Sequence, residues 1–158
     1  MSLRFRPMDE ANARAFLSWR YDPPYDSYTI PPAAVEHLAF FTDPHNAYYS
    51  ISNDDGTLEA FCCFGADAQV PGGDYTTDAL DVGLGIRPDL TGQGRGTAYL
   101  AAILDFARQT FTPTLLRTTV AEWNTRAQRL WAKAGFQPVQ VFPRAEDGMP
   151  FVIRTRAA

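Results

Sequence analysis

The stretch Ala79–Gln109 reads ALDVGLGIRP over residues 79–88, DLTGQGRG over 89–96 and TAYLAAILDFARQ over 97–109. Its first part alternates. Val82, Leu84 and Ile86 point one way and Asp81, Gly83 and Gly85 the other, which is the period of a strand. Pro88 ends that strand, because proline has no amide to give a ladder. The last part sets Leu100, Ile103, Leu104 and Ala107 at i, i+3, i+4 and i+7, one face of a helix. Between strand and helix, Gly92, Gly94 and Gly96 occupy alternate positions.

A strand, a glycine-rich turn and a helix in that order can hold an anion. The first amides of a helix have no partner inside it, and its dipole adds partial positive charge there. Glycines let a phosphate lie against bare backbone. No Lys-Ser/Thr pair follows Gly96, so the loop is not a P-loop, and the G-x-G-x-x-G spacing of a dinucleotide fingerprint is absent. A glycine-rich turn that holds no ligand is the alternative.

The 158 residues suit one domain with a sizeable core. A net charge of −4 argues against general affinity for nucleic acid or an anionic membrane, and sits better with a cationic partner. The longest apolar run, Ala98 to Leu104, is too short to cross a membrane, and MSLRFRPMDE at the start has no apolar signal core. Cys62 and Cys63 are adjacent on an expected strand, where side chains face opposite ways and cannot close a relaxed disulfide. They are expected to be buried thiols of a cytoplasmic protein. His37 and His45 are the only histidines and have no ligand-spaced partners, so neither a metal site nor a histidine-based triad is expected.

Leu3 to Pro7 alternates as a first strand, and Asp9 caps a helix with Ala13, Phe16 and Leu17 inward. The segment YDPPYDSYTIPP is too proline-rich for a long helix and too aromatic for a plain linker. Pro31 and Pro32 open a second helix to about Phe41, with Val35, Leu38 and Ala39 inward. Strands over Ala47–Ser52 and Leu58–Gly65 flank the hairpin signal Asn53-Asp54-Asp55-Gly56-Thr57. Residues 66–78 form a polar loop. After the central strand and helix, Thr112-Pro113 is a break and Thr114–Ala121 a strand. Asn124 then caps a helix with Ala127, Leu130, Trp131 and Ala134 on one face and Gly135 at its end. Phe136–Phe142 and Phe151–Arg156 are the last strands.

Two of these pieces carry a resemblance. The order Ile86-x-Pro88-x-x-Thr91-Gly92-x-Gly94-x-Gly96 resembles the pyrophosphate loop [Q/R]-x-x-G-x-[G/A] of the GNAT family of N-acetyltransferases, with Thr91 in the place of the usual Gln or Arg. Asn124, Ala127, Leu130, Gly135 and Phe136 resemble the family's second signature, N-x-x-A-x-x-[L/F]-[Y/W]-x-x-x-G-F. The resemblance implies a single α+β domain over residues 1–158. Its order is strand, two helices, three strands, helix, strand, helix, two strands, with the fourth and fifth strands splayed in a mixed sheet.

It further implies acetyl-CoA as co-substrate, no metal, and transfer of acetyl to a primary amine by direct attack. The cofactor would lie on Leu84 and Ile86, on the loop Thr91, Gly92, Gln93, Gly94, Arg95, Gly96 and Thr97, and on Asn124 and Trp131. Asp81 is the candidate base, on the glycine-bearing face where Gly83 and Gly85 leave room for substrate. A strand-end carboxylate bonded to an amide or arginine is the alternative for Asp81, and Glu122 is a second candidate base. The family's usual acid, a tyrosine, is replaced by Trp131, which has no proton to give to a thiolate. Tyr21, Tyr25 and Tyr28, with Asp22 and Asp26, would form the wall for a small-molecule or peptide amine, and packing onto the core is the alternative for them. The family often forms homodimers. A non-catalytic acyl-CoA-binding module on the same fold, and a nucleotide-binding α/β domain, are the competing readings.

Overall fold

In the computed structural model, which describes residues 2–158 apart from the side chains at positions 32 and 33, the alternating segments are strands and the helical stripes are helices. The elements are β1 (Arg4–Pro7), α1 (Glu10–Leu17), α2 (Leu38–Thr42), β2 (Tyr48–Ser52), β3 (Leu58–Phe64), β4 (Leu80–Ile86), α3 (Gly96–Phe111), β5 (Leu115–Ala121), α4 (Thr125–Lys133), β6 (Gln137–Pro143) and β7 (Pro150–Ala157). That is the expected order, and the fold is α+β. The strands form a seven-stranded mixed sheet in the order β1-β2-β3-β4-β5-β7-β6. β4 and β5 are parallel, a pairing that no tight turn can make, so α3 carries the chain across. Their register covers only Leu80 with Leu116 and Asp81 with Arg117. One residue on, the link is a side chain, with the Thr118 hydroxyl donating to the Val82 carbonyl at 3.0 Å.

The chain falls into two compact units, residues 1–63 with 84–96, and residues 64–83 with 97–158. In the first, the Asp9 carboxylate accepts from the Asn12 amide at 2.8 Å and starts α1. Ala13, Phe16 and Leu17 are buried as expected. The Phe16 ring packs on Phe61 at 4.4 Å and edge-on to Phe41 at 5.1 Å, the centre of an aromatic cluster that takes in Trp19 and Tyr48. The second helix differs from expectation. Pro32–His37 is a 3-10 helix, and only Leu38–Thr42 is α-helical. His37, at φ −109° and ψ 25°, leaves helical geometry between the two. The tighter 3-10 turn shifts the phase of the stripe expected of one continuous α-helix, so Val35 before the break and Ala39 after it are exposed, while Leu38 still packs on the core.

The second unit carries α3, whose Leu100, Ile103, Leu104 and Ala107 are all buried. Each such leucine or isoleucine stabilises by about 1.5–3 kcal/mol. α4 ends as its sequence dictates. Gly135 has φ +92°, its amide donates to the Ala132 carbonyl, and the Phe136 amide reaches back to the Trp131 carbonyl at 3.1 Å. This is the paired bond pattern of a left-handed helix end. The rings of Trp131 and Phe136 meet edge-on at 4.8 Å, the apolar contact that accompanies it.

Candidate functional site

After β4 the chain makes one 3-10 turn, Pro88–Leu90, which folds polar side chains back onto itself. The Thr91 hydroxyl donates to the Pro88 carbonyl at 2.7 Å, and the Gln93 side-chain amide donates to the Asp89 carbonyl at 2.6 Å. Arg87 grips the Asp89 carboxylate through Nε at 2.6 Å and donates Nη1 to the Leu58 carbonyl at 3.0 Å. That guanidinium, hydrogen-bonded to the carboxylate, holds the Asp89 carboxyl below its usual range. Gly92 and Gly94 both have φ +72°, which side chains rarely adopt. Gly92, Gln93 and Gly94 are exposed, and their backbone amides donate to no group among the described residues. A Cβ at Gly94 would meet nothing within 4 Å. Bare, open backbone therefore leads into the first turn of α3, at Gly96 and the exposed Thr97. The Arg95 guanidinium lies on the Glu59 carboxylate at 3.1 Å.

Beside this loop, Leu84 and Ile86 are half-buried. The Tyr21 hydroxyl donates to the Ile86 carbonyl at 2.7 Å, and the Tyr21 amide donates to the Thr29 hydroxyl at 2.9 Å. The segment after α1 is thus tied to the end of β4. Tyr25–Tyr28 is a 3-10 helix, with Tyr25 half-buried and Tyr28, Asp22 and Asp26 exposed. The space expected over Gly85 is not open. A Cβ there would lie 2.2 Å from the Phe61 ring, so the glycine admits an aromatic side chain of the protein itself.

Asp81 lies in the second unit and is buried. Arg117 binds both its oxygens, Nε to Oδ1 at 2.7 Å and Nη2 to Oδ2 at 2.8 Å, and the Gln69 side-chain amide donates to Oδ2 at 2.9 Å. The remaining Arg117 nitrogen donates to the Thr77 carbonyl at 2.8 Å, and the guanidinium stacks over the Tyr75 ring at 4.9 Å. The hydrogen bonds that Arg117 donates to Asp81 raise the Arg117 pKa above its ordinary value. Tyr75 in turn accepts from the Val70 amide and pairs with the Thr119 hydroxyl. Residues 66–78, read from sequence as a polar loop, are tied at Gln69, Val70, Tyr75 and Thr77.

Asn124 is the α4 cap, its side-chain oxygen accepting from the Ala127 amide at 3.1 Å. Trp131 is buried at 4% exposure, and Glu122 is exposed. Arg117, Gln69 and Glu59 escaped the sequence reading. The signal for two of them was one charged residue inside an apolar strand, Arg117 in LLRTTVA and Glu59 in LEAFCCF, because such a residue must bring a partner.

Residues 13–136 match the family model described as the acetyltransferase (GNAT) family. The chain belongs to the GNAT acetyltransferase family. Solved GNAT-like structures share its fold at low identity. The spermidine N-acetyltransferase from Vibrio cholerae, in complex with CoA and spermine, superposes with a TM-score of 0.75 at 14% identity, covering 98% of this chain and 95% of that one. A GNAT-family acetyltransferase from Bacillus anthracis gives 0.75 at 13% identity, covering 98% and 94%. The aminoglycoside N(6')acetyltransferase from Legionella pneumophila gives 0.73 at 18%, covering 98% and 91%. No curated protein matches the chain in sequence. The GNAT assignment accounts for the β4-loop-α3 order and the parallel β4–β5 pair. Among the described residues, no helix is long and apolar enough to cross a membrane.

Proposed function

We propose that this GNAT chain moves the acetyl group of acetyl-CoA to a primary amine by direct attack in a ternary complex. The observation that carries the reading is the bare backbone at Gly92–Gly94 leading into α3. The CoA diphosphate lies on the amides of Gln93 to Thr97, with Arg95 adding charge. The pantetheine arm runs along the backbone of Leu84 and Ile86 as an added strand would. The amine nitrogen attacks the acetyl carbon and the C–S bond breaks. A β4 amide beside the thioester steadies the negative oxygen. A thiol pKa of about 8.5 lets the thiolate leave without a tyrosine acid.

An ammonium cannot attack, so a proton must leave first. Asp81 gives both oxygens to Arg117, so in this reading it joins β4 to β5 and water takes the proton. The acceptor is a small cationic amine, held by Tyr21, Tyr25 and Tyr28 with Asp22 and Asp26. Similar structures named for spermidine and aminoglycoside acetylation support an amine acceptor. The occupied Asp81 and the buried Trp131 favour a second reading, a non-catalytic acyl-CoA-binding module.

Thermal unfolding with acetyl-CoA, ATP and NAD tests both against a nucleotide-binding domain, since a ligand stabilises the fold it binds. A rise in Tm with acetyl-CoA alone is expected. No rise with acetyl-CoA, or an equal rise with ATP, would sink the proposal. Thiol release with an amine from a broad panel marks the enzyme. Binding without release across that panel marks the module.

A further inference from the structure

The Arg95 guanidinium does not stand alone beside the glycine loop. Its Nη2 donates at 3.1 Å to Oε1 of Glu59, a β3 carboxylate whose side chain is 7% exposed. The other oxygen, Oε2, accepts at 2.9 Å from the side-chain amide of Asn53. Asn53 is itself fixed, because its Oδ1 accepts from the amides of Asp55 and Thr57 in the β2–β3 turn. The Glu59 carbonyl accepts from the Arg87 amide at 2.9 Å. β3 therefore holds the β4–α3 connection at three points: the Glu59 carbonyl on the Arg87 amide, the Leu58 carbonyl on the Arg87 guanidinium, and the Glu59 carboxylate on the charge that faces the proposed diphosphate.

We infer that Glu59 is a positioning residue for coenzyme A, acting through Arg95. A long arginine side chain loses much rotamer freedom when it settles on a phosphate. A buried carboxylate held by a rigid turn takes up that freedom beforehand, so Arg95 meets the diphosphate already oriented. Glu59 touches no ligand in this account. The inference rests on the diphosphate reading given above, and the test separates the two.

CoA is titrated calorimetrically into the wild-type chain, Glu59→Gln, Arg95→Ala and the double variant. Arg95→Ala is expected to weaken CoA. Glu59→Gln is expected to weaken it about tenfold, the scale of one charge-assisted hydrogen bond. In the Arg95→Ala background, Glu59→Gln is expected to change nothing more. A merely structural role for Glu59 would weaken CoA equally in both backgrounds, and that result overturns the inference. So does unchanged or tighter binding by Glu59→Gln where Arg95→Ala has weakened it. Unchanged binding by Arg95→Ala overturns the diphosphate contact itself and this inference with it. Should Glu59→Gln fail to fold, Asn53→Asp is read the same way. It keeps the oxygen that holds the turn and loses the N–H that fixes Oε2. A smaller weakening that needs Arg95 is expected, and its absence overturns the inference.

Discussion

Asp81 and Arg117 lie directly opposite each other in the parallel register of β4 and β5, and the guanidinium closes on both carboxylate oxygens at 2.7 and 2.8 Å. Both side chains are almost wholly buried. Removing one partner leaves the other charge uncompensated in a place water does not reach. Asp81→Asn is therefore expected to destabilise the fold by about 3–5 kcal/mol in urea unfolding. Adding Arg117→Met is expected to recover much of the loss. If Asp81→Asn instead kept full stability and abolished acetyl transfer, Asp81 would be the base after all.

Gly85 and Phe61 form a second contact that has no tolerance. The ring sits 2.2 Å from where a Cβ would stand, and Phe16 packs on it at 4.4 Å. Gly85→Ala is expected to cost about 1–3 kcal/mol through overpacking. Phe61→Leu in the same chain should restore part of that, because the smaller side chain yields the space. Additive losses in the denaturation midpoints would rule out the clash as the cause.

Gly94 has φ +72° with open space around its Cβ position, and Gly148, between β6 and β7, has φ +75° with equally open space. Alanine at either site is expected to cost about 1–2 kcal/mol from the left-handed backbone alone. Only Gly94→Ala is expected to weaken CoA, since only that backbone faces the diphosphate in the proposed reading. Equal CoA affinities for the two variants would place the diphosphate elsewhere.

Asp147 carries a pH prediction. The Arg144 guanidinium and the Met149 amide both donate to its carboxylate, which lowers its pKa from 3.8 to about 2. A lowered folded-state value contributes stability that is fully present above the unfolded value. That contribution is lost as pH falls through about 2. By carboxyl NMR shift, Asp147 is expected to be ionised at pH 3 in the wild-type chain and to take up its proton at a higher pH in Arg144→Ala. A shift unaffected by that substitution would deny the pair its role.

The order of elements, the α3 core stripe, the α4 cap at Asn124 and the Gly135–Phe136 ending were legible in the sequence. Each depends on residues within a turn or two of one another. Periodicity chooses the buried face, and a single glycine or asparagine sets the local dihedral. The region around His37 failed the same reading because its α-helical stripe assumed a helix that 3-10 geometry replaces. What only the tertiary structure decided are the partnerships. Asp81 finds Arg117 36 residues away, Arg95 finds Glu59 36 residues away, and Tyr21 reaches Ile86 65 residues away. A carboxylate reads the same in sequence whether it waits for a proton or grips a guanidinium. Strand register sets which it does, because sliding β5 by one residue would turn Arg117 to the opposite face of the sheet.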